Sequence, residues 1–201
     1  MNEKNSFFIQ GSLHEMPLVI LCGGKSSRMK EDKALLPFSN ASSLAKYQYK
    51  RLFPYFQNIC LSSKTNKFDF DCELLLEKSD IYSPLIALQS VLEQLEAPKV
   101  FILSVDTPLV TISSINKLIE ESKLFDICVA QTQRLHSLTG VFSKSILPVI
   151  NKMLDDDMHK IGYLLKSVNT KIVDFKNDDE FINLNHQEDY ARAKELIKSF
   201  S

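Results

Sequence analysis

Two kinds of hydrophobic pattern alternate along this chain. Short runs of consecutive apolar residues, such as 17–22 and 100–105, are typical of strands that are buried on both faces of a sheet. Between such runs, apolar residues recur three or four positions apart, as they do on one face of a helix. The clearest series of this kind, which follows Pro84, is Leu85, Leu88, Leu92 and Leu95.

The two patterns together predict the order of the elements. Strands are predicted at residues 17–22, 58–62, 72–76, 100–105, 126–131, 138–142, 171–175 and 181–184. Besides the leucine series, helices are predicted at residues 42–53, 146–154, 161–168 and 187–200. One more helix is predicted around Ile115 and Leu118, with Ser113 or Ser114 as its N-cap.

Alternation of strands and helices predicts an α/β fold, here a single-domain, Rossmann-like three-layer sandwich with a mostly parallel sheet. A length of 201 residues suits one ordinary domain. Residues 1–16 are predicted to be an N-terminal extension, and residues 17–201 the domain itself. In open α/β sheets, ligands bind beyond the carboxyl ends of the strands, and here Gly23-Gly24 and Asp106 follow two predicted strands.

Charge and cysteine content argue against several classes of function. Lys and Arg number 24 against 25 Asp and Glu, so the net charge of −1 gives no electrostatic support for nucleic-acid binding. The sequence contains no run of 18 apolar residues, so no membrane span is predicted, and the first 16 residues lack the apolar stretch of a signal peptide. The four cysteines form no C-x-x-C pair, which argues against zinc and for buried, reduced thiols. We therefore expect a cytoplasmic protein.

The loop after the first predicted strand carries the clearest chemical signal. A P-loop would need glycine five residues before Gly24, but Val19 stands there, and no G-x-G-x-x-G occurs. Gly23-Gly24 still lets the backbone approach a ligand closely and aim consecutive N–H groups at an anion. Arg28 and Lys33 offer positive charge for phosphate oxygens. Taken residue by residue, these positions favour an ordinary solvated loop with surface charges, and a phosphate site is the alternative.

The whole segment 21–36 resembles a known signature. It matches L-A-G-G-x-S-x-R-M-G-x-D-K-A-L-L, which belongs to nucleotidyltransferases related to the molybdenum cofactor guanylyltransferase family. Cys22 replaces the alanine of that signature, and Lys30 replaces its third glycine. The resemblance implies that residues 17–201 form a nucleotidyltransferase domain. It also implies that the nucleotide is bound by Leu21, Cys22, Gly23, Gly24 and Lys33.

Asp106-Thr107-Pro108 resembles the Asp-x-Pro segment of the same family, whose aspartate holds Mg²⁺. A carboxylate at a strand end is a hard oxygen ligand, and Mg²⁺ takes one or two carboxylates together with phosphate oxygens. The resemblance thus implies that Asp106 binds metal and nucleotide, and that Arg28, Lys33 and Asp106 are catalytic. For Asp106 alone, a turn residue is the alternative interpretation.

Segments around residue 80 bear on recognition of the base. The sequence Ser-Pro-Leu-Ile-Ala at 83–87 resembles the family's G-P-L-A-G loop near the base and ribose, with Ser83 and Ala87 in place of the glycines. Upstream the family has a Glu-Asp pair, and Asp80 is predicted to supply the carboxylate that accepts from the guanine edge. A turn residue is the alternative for Asp80. Ser62, after the second strand, is assigned to the nucleotide site on the same resemblance.

Residues 181–185 resemble the family's F-x-N-x-N segment, whose asparagines lie near the pterin substrate. Asn183 and Asn185 are therefore assigned to the pterin side, since amides both donate and accept hydrogen bonds. A helix cap is the alternative for Asn185. His136 matches a family histidine loosely, and either contacts substrate or ends a strand.

These resemblances imply transfer of GMP from GTP to Mo-molybdopterin, with Mg²⁺, to give molybdopterin guanine dinucleotide and pyrophosphate. They also imply transient contacts with other cofactor-biosynthesis proteins or recipient molybdoenzymes. Three alternatives are open. The chain is a relative that uses CTP or another NTP; a quiet nucleotide or cofactor carrier; or an unrelated small α/β hydrolase or kinase-like enzyme, which the failed P-loop test disfavours.

Overall fold

The computed structural model describes residues 13–24 and 31–199, and in these residues all strands belong to one sheet. The strands are β1 (Leu18–Leu21), β2 (Ile59–Ser63), β3 (Glu73–Leu76), β4 (Lys99–Ser104), β5 (Ile127–Gln131), β6 (Leu135–Ser143) and β7 (Thr170–Asp174). Their order across the sheet is β3-β2-β1-β4-β6-β5-β7. Only β6 runs against its neighbours among these strands, so the sheet is mostly parallel, as predicted.

Helices cover both faces of this sheet. They are α1 (Leu44–Leu52), α2 (Pro84–Gln94), α3 (Ile112–Glu121), α4 (Leu147–Asp155), α5 (Ile161–Ser167) and α6 (Gln187–Ser199). α1, α3 and α6 contribute buried side chains to the core on one face, and α2, α4 and α5 to the core on the other. The predicted three-layer α/β architecture is therefore confirmed.

Strand β1 shows why a continuous apolar run marks the centre of such a sheet. Leu18 and Ile20 point into the core beneath α1, while Val19 and Leu21 point into the opposite core beneath α2. All four residues of the strand are buried. With helices on both faces, alternation of polar and apolar positions has no place in this strand.

The parallel register brings several strand ends to one edge. Leu21 at the end of β1 pairs with Ser62 of β2 and with Ser104 of β4. The segments that leave these strands therefore start side by side, so that Gly23-Gly24 and Asp106 emerge at the same edge of the sheet. Ligands of open α/β sheets bind at such an edge.

Two local predictions differ from the structure. Residues 181–184 are not a strand, since Asp179–Phe181 is a 3₁₀ turn and the Leu184 N–H donates to the Asp106 carbonyl at 2.9 Å. The backbone of that segment is therefore hydrogen-bonded to the Asp106 turn rather than to a neighbouring strand. The N-cap of α3 is Thr111, whose hydroxyl accepts from the Ser114 N–H, and not Ser113 or Ser114. The cap lies further upstream because the helix begins at Ile112.

Of the predicted N-terminal extension, only residues 13–16 fall in the described part. There the His14 N–H donates to the Tyr55 carbonyl at 2.9 Å, and its carbonyl accepts from the Gln57 N–H at 3.0 Å. These residues are thus attached beside the end of α1. None of the helices in the described ranges has the length and apolar character needed to cross a bilayer.

Gly140 in β6 provides a test of the sheet's register. Its φ is +157°, and a Cβ there would lie 2.0 Å from the Cys128 carbonyl oxygen. Gly140→Ala should therefore lower the free energy of unfolding by about 3 kcal/mol. Gly162, at the start of α5, has nothing within 4 Å of an added Cβ, so Gly162→Ala should raise it by up to about 1 kcal/mol. Urea unfolding measures both, and equal effects would contradict this register.

Candidate active site

The glycine pair after β1 forms one wall of the candidate site. Gly24 has a φ of +146°, a conformation that side chains rarely adopt, so this turn depends on glycine. The Cys22 N–H just before it donates to the Ser62 carbonyl at 2.8 Å, which continues the sheet. Arg28 and Lys30 belong to residues 25–30, which lie outside the described residues.

Lys33 lies at the centre of this edge. It opens the 3₁₀ turn Lys33–Leu35, and Asp32 caps that turn by accepting from the Ala34 N–H at 3.0 Å. The Lys33 Nζ lies 3.3 Å from Asp106 Oδ2 and donates to Asn185 Oδ1 at 2.8 Å. Its side chain is only 14% exposed. One ammonium group thus joins three segments that are far apart in sequence.

Asp106 is held from several sides. Its Oδ1 accepts from the Ser104 hydroxyl at 2.6 Å, and its Oδ2 contacts Lys33. From behind, the fully buried Gln48 of α1 donates to the Val105 carbonyl at 3.3 Å and to the Thr107 carbonyl at 3.1 Å. The carboxylate is therefore fixed in direction at the end of β4, while its side chain stays 18% exposed.

The asparagine segment reaches the same place. Asn185 gives its side-chain oxygen to Lys33, whereas Asp189 of α6 accepts from the backbone N–H groups of Asn185 and His186 at 3.0 and 2.8 Å. The start of α6 is thus satisfied by Asp189, and the Asn185 amide is available to the site. Asn183 is half-buried, and its carbonyl accepts from the Asn185 N–H.

A cavity of about 310 Å³ extends from the glycine pair toward the start of α2. Small and apolar residues form most of its wall, with a few polar groups among them. The lining residues are Leu21, Gly23, Gly24, Glu77, Tyr82, Ser83, Pro84, Ala87, Ser104 and Leu138. Ser83 and Ala87, which replace two glycines of the signature, both face this cavity.

Glu77, and not Asp80, is the carboxylate in this wall. Glu77 directly follows β3, its side chain is 4% exposed, and it pairs with Lys64 at 3.3 Å. A Cβ on Gly23 would lie 2.7 Å from Glu77 Oε1. Ser62 is fully buried, and its hydroxyl lies 3.5 Å from the same oxygen. Asp80 lies in an exposed turn and is absent from the described lining, so the structure does not bring it to the cavity.

His136 is buried among hydrogen-bonding and aromatic neighbours. It lies in β6 and is 6% exposed, with its Nε2 at 2.8 Å from the Thr132 hydroxyl and its ring against Phe181. Burial, together with the positive charge of Arg134, lowers its pKa and keeps the ring neutral. His136 is thus the second residue of β6 and does not end a strand, and it is not among the described residues that line the cavity.

The sequence matches a known family model and curated relatives over most of its length. The family model described as "MobA-like NTP transferase domain" matches residues 18–170. The chain belongs to this family. A molybdenum cofactor guanylyltransferase from Campylobacter jejuni subsp. doylei is 36% identical over 190 residues, which cover 92% of this chain and 99% of that protein.

Two solved structures share the fold of this MobA-like domain. The molybdopterin-guanine dinucleotide biosynthesis protein A of Archaeoglobus fulgidus is 16% identical, with a TM-score of 0.78 over 92% of this chain and 100% of that one. A Mycobacterium tuberculosis protein solved as a complex with manganese is 14% identical, with a TM-score of 0.66 over 92% of this chain and 100% of that one.

Besides Glu77, two residues of the MobA-like site were not predicted from the sequence. Gln48 occupies a buried position of α1 between Leu44 and Leu52, and a polar residue on an apolar helix face is a signal that could have found it. Lys67 lies in the loop after β2, where its ammonium contacts Asp32 and donates to the Cys22 carbonyl at 3.0 Å. No sequence signal marks Lys67, because its partners are far away along the chain.

Thiol reactivity tests the packing of this site. Burial raises the pKa of Cys22 far above its usual range, and raises the pKa of Cys60 to about 12 and of Cys128 to about 11. At pH 8 a thiol of pKa 11 is about one-thousandth thiolate, so iodoacetamide should modify the half-buried Cys72 first. Peptide mass spectrometry of the native protein checks this order. Rapid modification of Cys22 would contradict a buried start of the glycine loop.

Proposed function

We propose that this chain is a molybdenum cofactor guanylyltransferase, which transfers GMP from GTP to Mo-molybdopterin. The observation that carries the proposal is the position of Lys33, between the Asp106 carboxylate and the Asn185 amide at the glycine-lined edge. Membership of the MobA-like family and the name of the Campylobacter relative, which spans nearly the same length, support it.

The proposed reaction is a displacement at the α-phosphorus of GTP. An oxygen of the terminal phosphate of molybdopterin forms a new bond to that phosphorus. The bond from the α-phosphorus to the oxygen that bridges it to the β-phosphate breaks, and pyrophosphate leaves with that electron pair. The attacking oxygen is already anionic, so the chain needs to supply position and charge rather than a strong base.

The glycine pair and Lys33 receive the triphosphate in this proposal. Backbone N–H groups around Gly23 and Gly24 can approach phosphate oxygens without obstruction from a Cβ. The Lys33 ammonium stabilises the negative charge that grows on the departing pyrophosphate. Arg28 is assigned the same task from the resemblance of its loop to the signature.

Asp106 is proposed to hold a divalent cation. Its donor set fits Mg²⁺, since one hard carboxylate oxygen can be completed by phosphate oxygens and water. A fold neighbour that was solved with manganese supports use of a divalent metal. When bound, the cation would neutralise charge on the phosphates. The chain's own contribution is to fix the carboxylate through Ser104 and through the Gln48 contacts behind it.

The two ends of the site are assigned to the two substrates. Asn183 and Asn185 are proposed to seat the pterin substrate, because their segment lies against the Asp106 turn. The cavity between Gly23 and Ala87 is proposed to take the nucleoside. There Glu77, which lines the cavity, is proposed in place of Asp80 as the carboxylate that accepts from the guanine edge. A cytoplasmic location and transient contacts with recipient molybdoenzymes complete the proposal, supported by four free cysteines and the nature of the product.

Substitution of the central ion pair should stop turnover but leave the fold intact. Lys33→Met and Asp106→Asn should each lower kcat by at least about 100-fold, because each removes charge stabilisation at the reacting phosphates. Pyrophosphate release measures kcat, and circular dichroism reports the fold. Lys171→Met removes an ion pair to Glu121 on the far surface and is the matched control, with unchanged kcat expected. Near-wild-type turnover in either site variant would refute these roles.

Nucleotide choice is tested by thermal unfolding with GTP, CTP, ATP and UTP, each with and without Mg²⁺. At about 100 times its Kd, a ligand of the native state stabilises by about 2.7 kcal/mol, or about 5–10 °C in Tm for a chain of this size. GTP with Mg²⁺ should give the largest shift. A selective shift with CTP would favour a cytidylyltransferase, and no shift with any nucleotide would favour a carrier that binds the pterin first.

A further inference from the structure

The nucleoside end of the cavity contains a chain of polar contacts that the site described so far does not use. Ser83 lines the cavity and is the N-cap of α2. Its hydroxyl oxygen lies 3.1 Å from Nδ1 of His159. The other ring nitrogen of His159, Nε2, lies 3.1 Å from the carboxylate of Asp157. His159 and Asp157 both belong to the connection between α4 and α5, far from Ser83 in sequence.

The neighbours of the Ser83 hydroxyl decide which of its hydrogen-bonding positions is left for a ligand. A serine hydroxyl has one donor hydrogen and two acceptor positions. One acceptor position is filled by the Leu85 N–H at 3.2 Å, which is the capping bond. A carboxylate only accepts, so when the His159 ring carries a single hydrogen, that hydrogen lies on Nε2, toward Asp157. Nδ1 then accepts the Ser83 hydrogen, and one lone pair of Ser83 is left over.

We propose that Ser83 is a specificity-determining residue that accepts a hydrogen bond from the nucleoside of the bound nucleotide, and that His159 is the residue that positions its hydroxyl. This inference rests on the proposed function. The Glu77 carboxylate, which lies in the same cavity wall, is also an acceptor, so the cavity presents two acceptors to a ligand.

An acceptor pair of this kind suits a ligand edge that donates. Guanine offers an N–H and an amino group on one edge, and the ribose offers hydroxyl groups. Pro84, Ala87 and Leu138 provide apolar surface in the same cavity, on which a flat base can pack. In the proposed function the phosphates bind beside Gly24, so Ser83 should affect binding of the nucleoside without affecting binding of pyrophosphate.

The test compares the binding of GTP and of pyrophosphate by isothermal titration calorimetry with Mg²⁺ at pH 8. Ser83→Gly removes the hydroxyl but keeps a residue that N-cap positions tolerate, and His159→Phe removes the acceptor but keeps a ring. Each should weaken GTP binding by about 3- to 10-fold, the range for one neutral hydrogen bond, and leave pyrophosphate binding unchanged. Ser83→Thr and His159→Asn keep the hydroxyl and the acceptor, and should restore most of the GTP affinity.

Ser43→Gly is the matched control for the loss of a capping serine. Ser43 caps α1 by accepting from the Lys46 N–H, as Ser83 caps α2, but it does not belong to the described cavity wall. Its variant should bind GTP as the wild type does. An equal loss of affinity in Ser43→Gly, or a parallel loss of pyrophosphate binding in Ser83→Gly, would overturn the inference, because either shows a general effect on the fold.

Two analogues separate the possible donors. ITP lacks the amino group of guanine, and 2′-deoxy-GTP lacks one ribose hydroxyl. If wild type and Ser83→Gly have the same affinity for one analogue, the group missing from that analogue is the donor to Ser83. Equal GTP affinity of wild type and Ser83→Gly would overturn this inference alone. Absence of GTP binding by the wild type would overturn the proposed function, and this inference with it.

Discussion

The contact of one ammonium group with two acceptors organises the catalytic edge of this molecule. Lys33 lies between Asp106, which follows the strand next to β1, and Asn185, which precedes the last helix. A pair this buried contributes little net stability, because desolvation of the two charges offsets much of their attraction. Its value is geometric, since it sets the distance between the loop that carries Lys33 and the two segments that meet it. Both substrates of the proposed reaction depend on that spacing.

The rest of the edge acts to keep this contact in register. Asp32 caps the short turn that carries Lys33 and is itself contacted by Lys67, which also binds the Cys22 carbonyl. Gln48 holds the backbone on both sides of Asp106 from within the core. Each of these contacts joins an irregular segment to a regular element. A site made of loops thereby acquires the rigidity of the sheet and of α1, which catalysis by positioning requires.

Elements of the fold that follow from a local sequence pattern were predictable, whereas contacts between residues far apart in the chain were not. Strands β1 and β4 were predictable because burial on both faces leaves a continuous apolar run. The assignment of Lys33 and Asp106 to one site followed from motifs and from the rule that ligands bind beyond the strand ends, whereas their direct contact did not. Glu77 was passed over for Asp80 because the contacts that hold Glu77 in the cavity wall, with Lys64 and Ser62, come from the neighbouring strand and the residue after it, and a sequence pattern does not show them. The segment after Phe181 is apolar like a strand, yet it binds the Asp106 turn, which only the folded chain reveals.

The pairing of charges at the catalytic edge has a consequence for how ligands arrive. In the described part of that edge, Lys33, Lys64 and Lys67 each contact a carboxylate, on Asp106, Glu77 and Asp32 respectively. The chain as a whole carries a net charge of −1. Paired in this way, these three ammonium groups add little net attraction for a polyanion that approaches from solvent. The lysines must exchange one anionic partner for another, and a nucleotide that brings its own cation makes this exchange with nearly balanced charge. At these three lysines, binding of a nucleotide is thus a substitution of counter-ions on contact.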